Sequence, residues 1–200
     1  IAIVASAVIN QNGRSSSLTA PNGPAQQAVL TLAISQAGLK TDDARQLEMH
    51  GTGTPLGDPI EVGAAEAVFS SRRSSASLRL SAVKSRTGHG EVAAGLVGVM
   101  QAASVLGANQ IVLLTHLRRV SLHIEVQLTG SAIVAPRQEI GEALDRSPSK
   151  FISVSSFAFQ GSNTNALLGA AERGSLAAAL APRGREWEQR RTWCASASRA

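Results

Sequence analysis

Apolar and polar positions alternate between two periods along this chain, and the switches mark its elements. Residues 1–9, IAIVASAVI, are β-branched and alanine-rich and stop at Asn10-Gln11-Asn12-Gly13, which predicts a short buried strand. Arg14 to Ala20 reads as a Ser/Thr loop. Pro21-Asn22-Gly23-Pro24 then opens a helix from about Ala25 to Ala37, apolar at Val29, Leu32, Ala33 and Ile34 and ended by Gly38. Residues 45–49 form a short strand, and a helix from Pro59 to about Phe69 follows. Ser70 to Ser75 is a polar loop, Leu78 to Val83 a strand, 84–91 a glycine-bearing loop and Val92 to Gly107 a helix. Ile111 to Val126 reads as a strand with an irregular Arg- and Leu-rich continuation, and Ala132-Ile133-Val134 as a short strand. Pro136 to Ser149 is a polar connection leading to a strand at Phe151 to Ser155. Alternating strands and helices of this kind predict an α/β protein with a mixed sheet.

Composition narrows the picture. The 200 residues are 44% hydrophobic, enough for one domain with a sizeable core, and only 3% aromatic. The net charge of +5 invites a nucleic-acid reading, but only three of the 19 basic residues are lysines and no dense basic run carries interleaved aromatics. An acidic carrier protein is the better match for such a surface. One cysteine, Cys194, cannot build a disulfide framework. The first residues, Ile1-Ala2-Ile3-Val4, lack a basic leader and read as the interior of a longer protein. The most apolar helix segment, Val92 to Leu106, falls short of the ~20 residues of a membrane span. The expectation is a cytoplasmic chain that binds neither membrane nor nucleic acid.

The densest chemistry lies in Glu48-Met49-His50-Gly51-Thr52-Gly53-Thr54-Pro55-Leu56-Gly57-Asp58-Pro59-Ile60-Glu61. Asp58 suits an N-cap, Pro59 the first helical position and Glu61 the third, as in a capping box. That frame would hold His50 at a strand end as a hydrogen-bond donor or proton-transfer group. The strand–loop–helix unit recurs at Lys84-Ser85-Arg86-Thr87-Gly88-His89-Gly90-Glu91. Both histidines then fall past strand ends, where open α/β sheets carry ligands, and both should meet at one sheet edge. The spacing matches no zinc pattern, so no metal site is assigned. His116 and His123 have no glycine loop beside them and are read as structural.

The twelve residues from His50 to Glu61 resemble the first histidine motif of β-ketoacyl synthases, in the form used by modular polyketide synthases and related to fatty acid synthases. Residues 84–95 resemble the second, Lys-Ser-Asn-Ile-Gly-His-Thr-Glu-Ala-Ala-Ala-Gly. Lys84, Ser85, Gly88, His89, Glu91, Ala93, Ala94 and Gly95 match, while Arg86, Thr87, Gly90 and Val92 depart. Residues 155–166 resemble the third, with Phe157, Phe159, Gly161 and Asn163 in place. Ala158 and Gln160 stand where the family has glycines, and Asn165 where it has His. If Ala158 takes the positive φ of such a glycine, it is strained. The segment from Ser6 to Val29 is similar as well and is read as scaffold and pocket wall.

The resemblance covers residues 3–170 and implies the C-terminal half of a thiolase-like fold, with 171–200 as a linker or docking tail. Residues 1–9 would be the last strand of the other half, which carries the family's nucleophilic Cys; Cys194 lacks its strand-to-helix elbow. The implied reaction is decarboxylative Claisen condensation of an acyl thioester with a malonyl-type extender held on the phosphopantetheine arm of an acyl carrier protein. His50 and His89 would donate hydrogen bonds to the enolate oxygen, with Lys84 setting the local field, tied to Glu91. The Phe159 N–H would serve the oxyanion hole, with Phe157, Phe159 and Gly161 at the acyl pocket. Thr52 and Thr54 would bind the pantetheine arm, and Asp58, Glu61, Glu91 and Asn163 would give structural support. No bound cofactor is implied. The partners implied are the carrier protein, the other half of the synthase and a second copy in a homodimer. Alternatives are a silent ketosynthase-like partner that shapes chain length, and a non-decarboxylating thiolase relative, against which the two histidines argue.

Overall fold

A computed structural model describes residues 2–15, 17, 20–70, 77–108, 112–136 and 151–171, and among these described residues six strands and five α-helices make up the fold. The strands are β1 (Ala2–Gln11), β2 (Ala44–Glu48), β3 (Leu78–Ser81), β4 (Ile133–Val134), β5 (Phe151–Phe157) and β6 (Ser162–Ala170). The helices are α1 (Gly23–Gln36), α2 (Gly57–Phe69), α3 (Lys84–Thr87), α4 (Ala94–Ala108) and α5 (Leu122–Leu128). The sheet order is β1-β6-β5-β2-β3-β4. β1, β6 and β5 pair antiparallel, whereas β5, β2, β3 and β4 run parallel.

The parallel block decides where the site lies. β2 faces β5 on one side and β3 on the other, with Glu48 opposite both Val154 and Ser81. Three neighbouring strands therefore end at one edge. His50 follows two residues after Glu48, Lys84 three after Ser81 and Phe157 three after Val154.

One face of the sheet packs on α1, α2 and α5. Val29, Leu30, Leu47, Phe69, Leu78 and Leu80 form the centre of that core, and Ile124 and Leu128 of α5 close its edge. The other face carries α4, whose buried stripe Ala94, Gly98, Ala102 and Val105 recurs at helical spacing. A Cβ on Gly98 would come 3.2 Å from Val154 Cγ1 and 3.6 Å from Glu48 Cγ. The helix approaches β5 this closely because position 98 has no side chain. The stretch 91–108 is apolar enough for a membrane span by composition, with mean hydropathy 1.5. In the fold it lies along β5 and β6 instead.

Several sequence expectations change. The helix expected from Pro59 starts at Gly57, and Asp58 is not its cap. Thr54 Oγ1 accepts the Gly57 N–H at 3.0 Å, which frees the Asp58 carboxylate to accept the Gly53 N–H at 3.1 Å. Residues 84–91 are not all loop. Val83 O accepts from Arg86 and Thr87 N–H, making the turn of α3, and Gly88 at φ +74° ends it. The strand expected within 111–126 is missing from residues 112–126. Val112 instead joins the α4 core, Leu114 N bonds Pro136 O, and 122–128 is helix. The sequence pattern does not predict β6, because Asn163, Thr164 and Asn165 interrupt its apolar run. Cys194 and the tail from 172 onward lie outside the described residues, as do 71–76 and 137–150.

Candidate active site

His50 leaves β2 with its backbone held from α2. The Glu61 carboxylate, 3% exposed, accepts the His50 N–H at 2.7 Å and the Gly51 N–H at 3.0 Å. Glu61 therefore does not close a capping box. It ties the first turns of α2 back to the loop, a stronger constraint on His50 than a local cap. Burial, opposed by those two N–H groups, pushes the Glu61 carboxyl up to about 7.

His89 reaches the same edge from β3 through α3. Its ring centroid lies 5.6 Å from that of His50, and the two planes cross at 87°. Two N–H donors, each ~2.9 Å from one oxygen, fit such a spacing. The protonation pattern suits donation. The Glu91 N–H points at His89 Nδ1, 3.3 Å away, which leaves the proton of the neutral ring on Nε2. His50 Nδ1 is buried and has no hydrogen-bond partner among the described residues. A buried orphan N–H is the rarer arrangement, so this ring also carries its proton on Nε2. Burial first, then Lys84 and His89, lowers the His50 pKa to about 4, so the ring is neutral at physiological pH.

Lys84 is half-buried, acts electrostatically on His50 and lines a cavity together with His89. Burial lowers its pKa, while the carboxylates of Glu61, Glu48 and Asp58 oppose that shift. Glu91 is not among them. It is exposed at φ +45° and acts on His89 through its backbone, which corrects the expected Lys84–Glu91 tie.

Phe157 packs its ring 5.6 Å from His50. Beyond it, the β5–β6 turn is closed by Ala158 N–H to Ser162 O at 2.8 Å and Gly161 N–H to Ala158 O at 2.9 Å. The positive φ of this turn falls on Gly161, at +90°, and Ala158 is unstrained. A Cβ at 161 would lie 3.0 Å from Gln11 Oε1 and 3.2 Å from Asn12 Cβ, so glycine is required there on two counts. Phe159 is 78% exposed at the turn tip, and its N–H has no partner among the described residues. Asn163, 1% exposed, donates to Asn10 Oδ1 at 3.0 Å and Asn12 Oδ1 at 2.8 Å, locking the turn to β1.

A cavity of about 410 Å³ joins these parts and is lined by His50, His89, Thr54, Phe157 and Phe159 among others. Thr52 and Thr54 stand 3.5 Å apart, hydroxyl to hydroxyl, on the wall that it shares with a second cavity of about 710 Å³. His116 and His123, read from sequence as structural, are exposed and line that second cavity with Lys84 and His89. Sequence reasoning singles out neither Asn12 nor Gln26, beyond placing their segment in the pocket wall; both line the smaller cavity. Gln26 lies on the buried face of α1, a position whose polarity was the available signal.

Comparison with known families assigns the fold that carries this arrangement. Residues 1–118 match the family model of the β-ketoacyl synthase C-terminal domain. The chain belongs to this family. Its fold is thiolase-like, and its solved neighbours are ketosynthase domains. The oxazolomycin ketosynthase domain OzmH KS7 of Streptomyces albus JA3453 superposes with a TM-score of 0.74 at 29% identity, over 86% of this chain and 30% of that one. The ketosynthase from module 6 of the bacillaene synthase of Bacillus subtilis 168 gives 0.74 at 28%, over 86% and 31%. Among curated relatives, the spectinabilin polyketide synthase system protein NorA' of Streptomyces orinoci is 38% identical over 174 residues, 86% of this chain and 5% of that protein. Erythronolide synthase EryA3 of Saccharopolyspora erythraea is 37% identical over 171 residues, 84% and 5%. The ketosynthase region of this chain thus spans about one-twentieth of the length of these curated relatives.

Proposed function

We propose that this region supplies the decarboxylation half of a β-ketoacyl synthase active site acting in polyketide or fatty acid assembly. The carrying observation is the approach of His50 and His89 to 5.6 Å beside a half-buried lysine, at the shared end of parallel strands. A malonyl-type thioester, delivered on the phosphopantetheine arm of an acyl carrier protein, loses CO₂ and leaves an enolate. His50 and His89 donate from Nε2 to the enolate oxygen, where charge develops. Preorganised donors of this kind lower a barrier by ~3–4 kcal/mol each. A neutral imidazole with its proton on Nε2 can donate in this way, and the low pKa of His50 keeps that ring neutral.

The enolate carbon then attacks an acyl group held as a thioester on a cysteine contributed by a part of the synthase outside this chain. The C–C bond forms, the C–S bond breaks and the thiolate is released. The exposed N–H of Phe159 helps hold the tetrahedral oxyanion, while the Phe157 ring packs beside the acyl group. Thr52 and Thr54 border the cavity where the amide-rich pantetheine arm lies. The reaction draws its substrates from carrier-bound thioesters and needs no dissociable cofactor. The complete enzyme works as a homodimer in this reading.

The test uses a complete ketosynthase carrying this region, with CO₂ release from a malonyl thioester as readout. His50→Ala and His89→Ala are each expected to slow release by about 10²–10³. Release at the wild-type rate in both variants would overturn the reading.

A further inference from the structure

Glu48 is the most buried carboxylate beside the site, 1% exposed, and both its oxygens are engaged. Oε2 accepts from Ser81 Oγ at 2.6 Å, and Oε1 accepts the Val83 N–H at 2.5 Å. Ser81 Oγ in turn accepts from Gln46 Nε2 at 2.9 Å, and Gly98 of α4 roofs the carboxylate stem. The location gives this network its consequence. Backbone pairing between β2 and β3 ends with Met49 N–H to Ser81 O at 2.7 Å. Past that point the two chains part, one towards His50 and the other towards Lys84 and His89. Glu48 sits two residues before His50, and its side chain grips the residue immediately before Lys84. It is a tie that reaches beyond the ladder.

We propose that Glu48 is a positioning residue that sets the separation of the two imidazoles, by clamping the end of β2 to the start of α3. The proposal rests on the reading of His50 and His89 as paired donors. Glu48 acts on the same loop from the opposite side to Glu61: Glu61 fixes the His50 backbone from α2, and Glu48 fixes the Lys84–His89 unit to β2. A buried carboxylate is costly to desolvate, and here the Val83 N–H and the Ser81 hydroxyl offset that cost. Its benefit here is geometric. Misplacing a reacting group by ~1 Å costs about a hundredfold in rate. Burial raises the Glu48 pKa, while its hydrogen bonds and the charges of Lys84 and Arg86 oppose that shift, and the carboxylate in turn favours the charged form of Lys84.

The experiment measures acyl loading and CO₂ release separately in the complete ketosynthase, for Glu48→Ala, Glu48→Gln and Ser81→Ala, with His50→Ala as reference. Glu48→Ala is expected to lower kcat for CO₂ release about tenfold to a hundredfold, with KM for the malonyl thioester and the loading rate retained. Glu48→Gln keeps an acceptor for the Val83 N–H and should restore most of the rate. Ser81→Ala removes one of the two ties and should give a smaller loss of the same kind; it also serves if Glu48→Ala does not fold. A folded Ser81→Ala or Glu48→Ala protein with an unchanged ratio of release to loading, or an equal loss in both steps, overturns the proposal. If His50→Ala itself leaves release intact, the paired-donor reading has failed. If His50→Ala slows release while the Glu48 and Ser81 variants do not, only the positioning role has failed.

Discussion

At the scale of single residues, the site is a set of charges arranged around a neutral ring. His50 is desolvated and lies near Lys84 and His89, and all three influences disfavour its protonated form. Its folded pKa of about 4 lies below the ordinary 6.5, so the unfolded chain takes up the proton first as the pH falls. The stability that neutral His50 contributes is therefore full above pH 6.5 and is lost as the pH falls towards 4. Glu61 has the opposite sign. Its folded pKa of about 7 lies above the ordinary 4.5, so its contribution is full below pH 4.5 and is lost as the pH rises through 7. Between these limits the two oppose each other. Imidazole nitrogen NMR of the complete ketosynthase should follow His50 to a midpoint near 4. Lys84→Met should raise that midpoint, because Lys84 is the leading charge acting on the ring. A midpoint near 6.5 in the unmodified protein would contradict the desolvated placement.

At the scale of elements, α4 is set by small residues against β5. Gly98→Leu would drive a side chain into Val154 and the stem of Glu48. Overpacking of this kind costs roughly 1–3 kcal/mol, to be read as a lower denaturation midpoint. An unchanged midpoint would mean that α4 and β5 do not pack this closely. The sequence made most of this layout legible, because the glycine loops after β2 and β3 and the apolar-rich helices α2 and α4 are marked without tertiary help. Its failures share a cause. α5 alternates Leu122, Ile124, Val126 and Leu128 like a strand, yet only Ile124 and Leu128 meet the core, at helical spacing. β6 hides because Asn163 and Asn165 point inward, where bonds to Asn10, Asn12, Ser153 and Ser155 satisfy them. The side chains of Asp58 and Glu61 read locally as helix caps, and only the fold shows them turned back to the loop. A local pattern predicts local partners, whereas these partners come from across the site.

At the scale of the whole molecule, the outer face of α4 stays uncovered among the described residues. Leu96 and Met100 stand one turn apart on the outer face of α4 and are exposed, as are Val92 before it and Ile9 of β1. Ile9 borders a cavity together with Gly95 and Val99 of the same α4 helix, and exposed apolar side chains of this kind mark interaction surfaces. We expect the rest of the synthase to cover this face. The purified 200-residue chain should then self-associate and bind an apolar dye. Leu96→Lys with Met100→Lys should suppress both effects in the chain while destabilising the complete enzyme. A monodisperse, dye-silent chain would contradict this.

On the paired-donor mechanism, the two histidines meet the charge created by CO₂ loss, not the charge created in loading. Both steps can be measured in one sample of complete ketosynthase carrying His50→Ala: radiolabelled acyl transfer to the cysteine, and CO₂ release from the extender. Acyl transfer should be retained while CO₂ release falls by about 10²–10³. Loss of acyl transfer with CO₂ release intact would reverse the assigned roles and contradict the mechanism.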